Sequence, residues 1–291
     1  MRTAFIPLLT GTVLLCLHQP VRAQQFKDHI AKEFTLQKEA GATTLSIYNL
    51  NGSVRVEGYG GDKVTMEIDE VITADNQETV EIGKKEFKLG FQQTADTITA
   101  YIAEPYDSRP RRRSYRYDND NWDRREIEYR YTLEYVVKVP FGMNLDVATV
   151  NEGEVYVKDV AGTLNVRNVN GAVTIVNAKG TTNARTVNGM VTVSYLSNPP
   201  GPSYYHTING NINVNYKQDI SADMQFKSMH GDFFTDFSEA TLLPVAAVKT
   251  EEKKGNGTVY RINKVTTIRF GSGGKLFKFE TLNGNVYVKK W

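Results

Sequence analysis

Cysteine is almost absent from this sequence: Cys16 is the single one among 291 residues, and there are only four histidines. Cys16 lies in an apolar run from Phe5 to Leu17, so neither a disulfide framework nor thiol chemistry is expected in the rest of the chain. The later histidines, His29, His206 and His230, lack the spacing of metal ligands. We therefore predict no metal site and no cofactor.

Long hydrophobic segments are also missing, since the N-terminal apolar run is too short for a stable membrane anchor. Arg2 precedes this run and Val21-Arg22-Ala23 follows it, which is the pattern of a secretory signal. We predict that residues 1–23 are a cleaved signal peptide. The chain is then exported to the periplasm, the outer surface or the extracellular space, with no transmembrane segment. Leu15 precedes Cys16 where a lipoprotein signal needs a small residue, so lipidation is the less favoured alternative.

Neither sign of charge is in excess once the signal is removed. Loss of Arg2 and Arg22 lowers the 35 Lys and Arg residues to 33, which equals the 33 Asp and Glu residues. This balance, together with the predicted export, argues against nucleic acid as a partner. Apolar residues make up 40% of the sequence, which is enough for a core, and the abundance of Val, Thr, Tyr and Ile indicates an all-β chain.

What the sequence does contain is a repeat. Apolar residues stand two, four and seven places after glycines that recur at every ninth position, at Gly153, Gly162, Gly171, Gly180 and Gly189. Alternation with a period of two predicts short strands, with Val173 and Ile175 on one face. Every second glycine follows an asparagine, directly at Gly171 and Gly189 and after one extra residue at Gly153. The full unit therefore joins two of these segments and has two different corners.

The Asn-Gly corners have two interpretations. One is a type I′ hairpin turn. The other is the corner of a parallel β-solenoid, in which like residues stack from coil to coil. The same residue type returns at the corner once per full unit, as at Asn170, Asn188 and Asn209, and this favours the solenoid. At such a corner Asn tolerates a left-handed backbone, Gly has no Cβ to clash, and the amides can hydrogen-bond along the column.

We therefore predict an all-β fold, a single parallel β-solenoid or β-helix domain over residues 24–291, with coils of roughly 18 to 21 residues. Its N-terminal half carries an irregular strand and hairpin insert. Strands and a charged loop at 105–130 occupy 34–140, regular coils occupy 141–237, and an insertion with a final coil occupies 238–291. A short helix is expected between Asp75 and Lys85, with Asp75 or Asn76 as its capping residue.

Several segments resemble the "putative adhesin" family of exported bacterial β-solenoid proteins, first catalogued as a domain of unknown function. They are the repeated Thr-Φ-Asn-Gly corners, the segment from Lys138 to Thr149, and the closing segment from Phe270 to Val286. The resemblance spans Phe34 to Trp291. It implies a parallel β-solenoid and a cell-envelope location, and it brings no catalytic residues. His230, in place of a corner Asn, departs from the pattern.

One candidate binding site is a column of basic residues four places before successive corner glycines. It consists of Arg167, Arg185, His206 and Lys227, with Tyr204 beside His206. If coils stack about 4.8 Å apart, these cations repel one another unless an anion lies across them. The column predicts a shallow groove for an anionic glycan or another polyanion. The alternative is that the side chains spread into water.

A second candidate lies in the charged loop, where arginines and aromatic residues are interleaved. Its residues are Arg111, Arg112, Arg113, Tyr115 and Trp122. Such residues can stack on sugars and pair with anions. A solvated loop of mixed charge is the alternative interpretation, because acidic residues nearly match the basic ones.

No nucleophile triad, phosphate loop or cluster of convergent acids and bases stands out, so no catalytic residues are predicted. We expect a non-enzymatic interaction module of the cell envelope, with an anionic glycan or another surface component as partner. Two alternatives stay open. One is a polysaccharide-active β-helix enzyme, and the other is a structural envelope protein that self-associates through an exposed edge strand. The oligomeric state is left open.

Overall fold

The computed structural model describes residues 23–110, 127–244, 246–254 and 257–291. The N-terminal part contains β1 (Gln24–Thr35), a 3-10 helix (Ala40–Ala42), β2 (Thr44–Tyr48), β3 (Val54–Tyr59), β4 (Lys63–Ala74), α1 (Gln77–Glu86), β5 (Lys88–Gln93), β6 (Thr97–Glu104) and β7 (Arg130–Pro140). The middle part contains β8 (Asn144–Ala148), β9 (Val155–Lys158), β10 (Leu164–Arg167), β11 (Val173–Ala178), β12 (Thr182–Arg185), β13 (Val191–Tyr195), β14 (Ser203–His206), β15 (Ile212–Tyr216), β16 (Ala222–Lys227) and β17 (Phe233–Thr235). The last part contains β18 (Thr241–Leu242), β19 (Ala246–Lys254), β20 (Gly257–Phe270), β21 (Lys275–Glu280) and β22 (Val286–Lys290).

Within these ranges the strands form two mixed sheets, and the all-β prediction is confirmed. The strand order in the first sheet is β1-β4-β7-β3-β9-β11-β13-β15-β22-β17. In the second sheet it is β18-β20-β16-β21-β14-β12-β10-β8-β2-β6-β5, with β19 paired to β20. From β8 to β17 the chain alternates between the sheets, so each repeat unit gives one strand to each.

The middle of each sheet is parallel and in register with the repeat. Val173 pairs with Val155 on one side and with Val191 on the other, as the spacing of successive units requires. Other pairs are antiparallel, namely β1 with β4, β4 with β7, β5 with β6, and β20 with β16, β18 and β19. The solenoid prediction did not include most of these pairs. They arise where long strands outside the repeat cover the ends of the parallel stack.

The core lies between the two sheets and follows the predicted alternation. Val173 and Ile175 are buried, with relative exposures of 0 and 1%, while Thr174 between them is partly exposed. Burying one such aliphatic side chain contributes about 1.5 to 3 kcal/mol. Because a single unit buries only a few of them, the units depend on their stacked neighbours for stability.

The Asn-Gly corners stack and do not form hairpins. Asn170, Asn188, Asn209 and Asn283 are joined by parallel bridges. Asn188 Nδ2 donates to Asn170 Oδ1 at 2.8 Å, and Asn209 Nδ2 donates to Asn188 Oδ1 at 2.7 Å. The hairpin interpretation is therefore wrong at these corners. The expected column of amide hydrogen bonds is present.

Glycine is required at these corners for a reason other than a left-handed backbone. A Cβ placed on Gly189 would collide with the carbonyl group of Gly171 in the neighbouring unit, so the close approach of two backbones excludes any side chain. Two left-handed residues lie at the other corner, where Asp159 and Asn177 have φ values of 57° and 59°, and a third is Glu152, with φ 59°, the extra residue between Asn151 and Gly153. At the other corner, Asn177 Nδ2 donates to Asp159 Oδ1 at 2.7 Å.

The final unit of the chain lies between two earlier ones. Strand β21 pairs with both β14 and β16, and β22 pairs with both β15 and β17. Aromatic packing holds it there, since Phe279 stacks on Tyr205 and on Phe226 with ring centroids 4.8 and 5.0 Å apart. The order of units in space therefore differs from their order in the chain.

The N-terminal part adds the predicted helix and hairpin. Helix α1 begins after Asn76, whose side chain accepts a hydrogen bond from the Thr79 backbone N–H at 2.8 Å and so caps the helix. Val80 is fully buried, and α1 packs against β4 and β1. Among the described residues, no helix combines the length and the hydrophobicity that crossing a membrane would need.

Candidate binding face on the second sheet

The predicted basic column lies on the outer face of the second sheet. Inward positions of β10, β12 and β14 are apolar or small and buried, so the alternate positions point outward. Arg167 pairs with Arg185, and Arg185 pairs with His206 in the parallel register. The structure thus brings these three residues together as the spacing predicts.

Lys227 is not the next residue in this column. Glu280 on β21 pairs with His206 on one side and with Lys227 on the other. The expectation of an uninterrupted basic row is therefore wrong at this point. The reason is the final unit of the chain, which enters the stack between β14 and β16.

At the other end of the column, Arg167 already has an acidic partner. Its Nη2 donates to Asp146 Oδ1 at 2.7 Å. Asp146 also accepts from Asn165 Nδ2 at 2.6 Å and from the Tyr48 hydroxyl at 2.7 Å. Burial raises the pKa of Tyr48, and the hydrogen bond to Asp146 raises it further. Arg167 is consequently the member of the column least available to a ligand.

Arg185, Lys227 and Lys278 are the exposed cations of this face. Arg185 Nε donates to Asn183 Oδ1 at 2.8 Å, and its guanidinium carbon lies 5.6 Å from the centre of the Tyr204 ring. None of these three cations belongs to an ion pair among the described residues. The ion pairs nearby join Arg167 to Asp146 and Arg269 to Asp223.

Tyr204, His206 and Glu280 form the centre of the face. The Tyr204 hydroxyl donates to Glu280 Oε2 at 2.7 Å, and the Tyr204 and His206 rings stack with centroids 5.9 Å apart. Burial raises the pKa of Tyr204, and the hydrogen bond to Glu280 adds to this effect. Burial lowers the pKa of His206, although Glu280 opposes the change. Burial therefore favours the neutral form of His206.

Beside Tyr204 the surface forms a shallow depression between β14 and β21. It is lined by Pro202, Ser203, Tyr204, Leu276, Lys278 and Glu280. Apolar side chains beside an aromatic ring, with Lys278 and Glu280 also in the lining, are suited to the C–H face and the polar substituents of a sugar. The five loop candidates, Arg111, Arg112, Arg113, Tyr115 and Trp122, lie outside the described residues.

Sequence reasoning missed Lys278 and Glu280, although the signal was present. Glu280 stands four positions before Gly284, and Lys278 stands two positions before Glu280, as Tyr204 does before His206. Counting from every corner glycine would have placed both residues on this face. Across the described ranges, no three His, Cys, Asp or Glu side chains are grouped so that they could hold a metal ion.

Comparison with known proteins gives two structural neighbours. No family model matches the chain, and no curated protein matches its sequence. A structure described as a putative cell adhesion protein from Clostridium sporogenes is 9% identical, with a TM-score of 0.42, over 93% of this chain and 100% of its own. A structure described as a putative adhesin from Bacteroides fragilis is 10% identical, with a TM-score of 0.39, over 91% and 97%.

Proposed function

We propose that this protein is an exported, non-enzymatic binding module of the cell envelope and that the outer face of its second sheet binds an anionic glycan. The observation that supports this most is the group of exposed cations, Arg185, Lys227 and Lys278, without acidic partners in ion pairs among the described residues. We also propose that the part from β8 to β17, with β21 and β22, is a parallel β-solenoid.

The spacing of these cations suits an extended ligand. Arg185 and Lys227 lie three strands apart in the order β12-β14-β21-β16, which corresponds to about 14 Å at the usual distance between strands. Lys278 lies between them on β21. A small anion could contact one of these cations, whereas a linear polymer with repeated carboxylates could contact all three.

The depression favours a carbohydrate over other polyanions. Pro202, Leu276 and the Tyr204 ring give it an apolar surface, against which a sugar ring can pack while its acidic substituents reach the lysines. The face is only moderately positive, because Glu280 and Asp146 lie on it. Because Arg185, Lys227 and Lys278 are exposed to solvent ions, we expect binding that weakens as salt is added.

Charge reversal tests this proposal. We expect the variant Arg185→Glu/Lys227→Glu to bind polygalacturonate at least about tenfold more weakly, because two attractive contacts become repulsive. The matched control is Lys138→Glu/Lys289→Glu, which changes the same net charge at exposed positions of the first sheet. Titration calorimetry at low and high salt measures the affinities. Equal affinity in the wild type and in both variants would refute the proposal, and shortening of the polymer during the assay would indicate the enzyme alternative.

Self-association is a second candidate function, supported by one end of the stack. Strand β17 is the last strand of the first sheet, and the apolar side chains of Met229 and Phe234 near it are 71% and 45% exposed. An open strand edge beside apolar residues can pair with another chain. Light scattering gives the mass in solution, and a monomer at high concentration would argue against this function.

A further inference from the structure

We infer that the carboxylate of Glu280 lowers the positive potential of this face and so limits how tightly the face binds an anionic polymer. The inference rests on the proposed function, since it concerns the strength of binding at the same site. It assigns Glu280 a role opposite to that of a binding residue, because removing its charge should strengthen binding.

The register places the carboxylate among the cations. Glu280 lies one strand from Lys227 and one strand from His206. Lys278 precedes it by two positions on the same strand and therefore points to the same face. Arg185 follows His206 in the column, two strands from Glu280. A carboxylate at the centre of this group lowers the positive potential that each cation presents to an anion.

Glu280 is held on the face and does not spread into water. The Tyr204 hydroxyl donates to Glu280 Oε2 at 2.7 Å. Glu280 also lines the depression beside Tyr204, so a glycan carboxylate entering there meets a negative group of the protein. Asp146, which lies farther along the same face, differs because its oxygens are already taken up by Arg167, Asn165 and Tyr48.

The charges on the face set the expected size of the effect. Arg185, Lys227 and Lys278 carry three positive charges, and Glu280 leaves a net of two when His206 is neutral. Removing one repulsive charge close to a partly exposed ligand should improve affinity about three- to tenfold at low salt. The same removal should make binding fall more steeply with salt concentration.

The residues involved come from the final unit of the chain. Strand β21 supplies both the attractive Lys278 and the repulsive Glu280, and it reaches the face only by entering between β14 and β16. The affinity of the face is therefore adjusted by residues far along the sequence from Arg185 and Tyr204.

Glu280→Gln is the variant that tests the inference. It keeps the side chain's size and an oxygen that can accept the Tyr204 hydrogen bond, and it removes the charge. The matched control is Glu154→Gln, which makes the same change in net charge at an exposed position before β9 of the first sheet. Affinity for polygalacturonate is measured for both, together with the rise in Tm that inorganic sulfate produces.

We expect Glu280→Gln to bind polygalacturonate about three- to tenfold tighter than the wild type and to show the larger sulfate-induced rise in Tm, while Glu154→Gln matches the wild type. Unchanged or weaker binding by Glu280→Gln would overturn the inference, as would equal gains in the two variants. If the wild type binds and the charge-reversal pair does not, the proposed function stands even when the inference fails. Absence of binding in every variant overturns both.

Discussion

The parallel region from β8 to β17, together with β21 and β22, differs from the N-terminal region from β1 to β7 in how buried tyrosine hydroxyls are paired. In the parallel region the buried hydroxyls of Tyr195 and Tyr216 both bond to that of Tyr205, at 2.6 and 2.9 Å. In the N-terminal region the buried Tyr135 hydroxyl has no hydrogen-bond partner among the described residues, and Glu70 faces Asp28 across β1 and β4.

This difference shows what repetition does for a fold. A repeat brings the same side chain, or a similar one, to the same place in each unit, so a donor in one unit meets an acceptor in the next. The asparagine column follows this rule from Asn151 to Asn283. Pairing is incomplete even within the repeat, because the buried Asn165 Oδ1 and Arg167 Nε atoms have no hydrogen-bond partner among the described residues. Where the chain leaves the repeat, each polar group needs an individual partner, and the Tyr135 hydroxyl has none among those residues.

The largest expected loss of stability comes from a substitution where two backbones touch in the parallel region. Gly189→Ala should lower the free energy of unfolding by about 3 kcal/mol or more, because the new Cβ would overlap the Gly171 carbonyl and the units would have to move apart. The control is Gly41→Ala in the N-terminal region, where a Cβ meets no atom within 4 Å. Urea unfolding followed by circular dichroism measures both, and equal losses would contradict the stacked arrangement of the corner glycines.

The next effect concerns the buried tyrosines. Tyr205→Phe should lower the free energy of unfolding by about 2 kcal/mol, because the hydroxyls of Tyr195 and Tyr216 would lose their shared partner. Tyr135→Phe should instead raise it by about 1 kcal/mol, because the variant no longer buries a hydroxyl without a partner. The same unfolding measurement compares the two, and a change of the same sign in both variants would remove the contrast between the regions.

The smallest effect is a pH dependence that distinguishes Glu70 from Asp223. Burial, and then the charge of Asp28, raises the pKa of Glu70 above its ordinary value of 4.5. Ionised Glu70 thus destabilises the fold at neutral pH, and this loss is recovered as pH falls through the raised pKa. Glu70→Gln should increase the free energy of unfolding at pH 7 by roughly 0.5 kcal/mol, and the gain should shrink toward pH 4.

Asp223 affects the pH dependence of stability in the opposite direction to Glu70. The Arg269 guanidinium donates to it at 2.7 and 2.9 Å and holds its pKa below the ordinary value of 3.8. Ionised Asp223 therefore stabilises the fold above that value, and the contribution is lost as pH falls through its lowered pKa. Asp223→Asn should be less stable than the wild type at pH 7. If both variants shift stability in the same direction at pH 7, the assigned causes are wrong.

Local patterns carried much of the prediction. Alternation within a strand indicated that Val173 and Ile175 are buried, because successive side chains of a strand point to opposite faces whatever lies nearby. The spacing of the corner glycines indicated that Arg167, Arg185 and His206 are neighbours. The helix after Asn76 followed from its capping residue. Each of these features depends on residues of a single strand or helix, or on residues separated by the nearly constant length of one repeat unit.

The position of the final unit could not be obtained in this way. Its corner, Asn283-Gly284, has the same pattern as the others, so by pattern alone it would fit at several places in the stack. Packing of Phe277 and Phe279 among the rings of Tyr205, Tyr216 and Phe226 accompanies its actual place. The candidate site depended on that choice, because Lys278 and Glu280 arrive with these phenylalanines.

The repeat pattern alone is enough to tell which residues of each unit face inward, which stand at the corners and which recur on the outer faces, because those properties depend on the local geometry of a strand and its turn. The folded chain was needed to establish the order of the units, the antiparallel strands at the ends and the mixture of charges on the candidate face. Those features depend on which side chains fit together in space. The repeat gives every unit nearly the same pattern, so the pattern does not tell which units become neighbours.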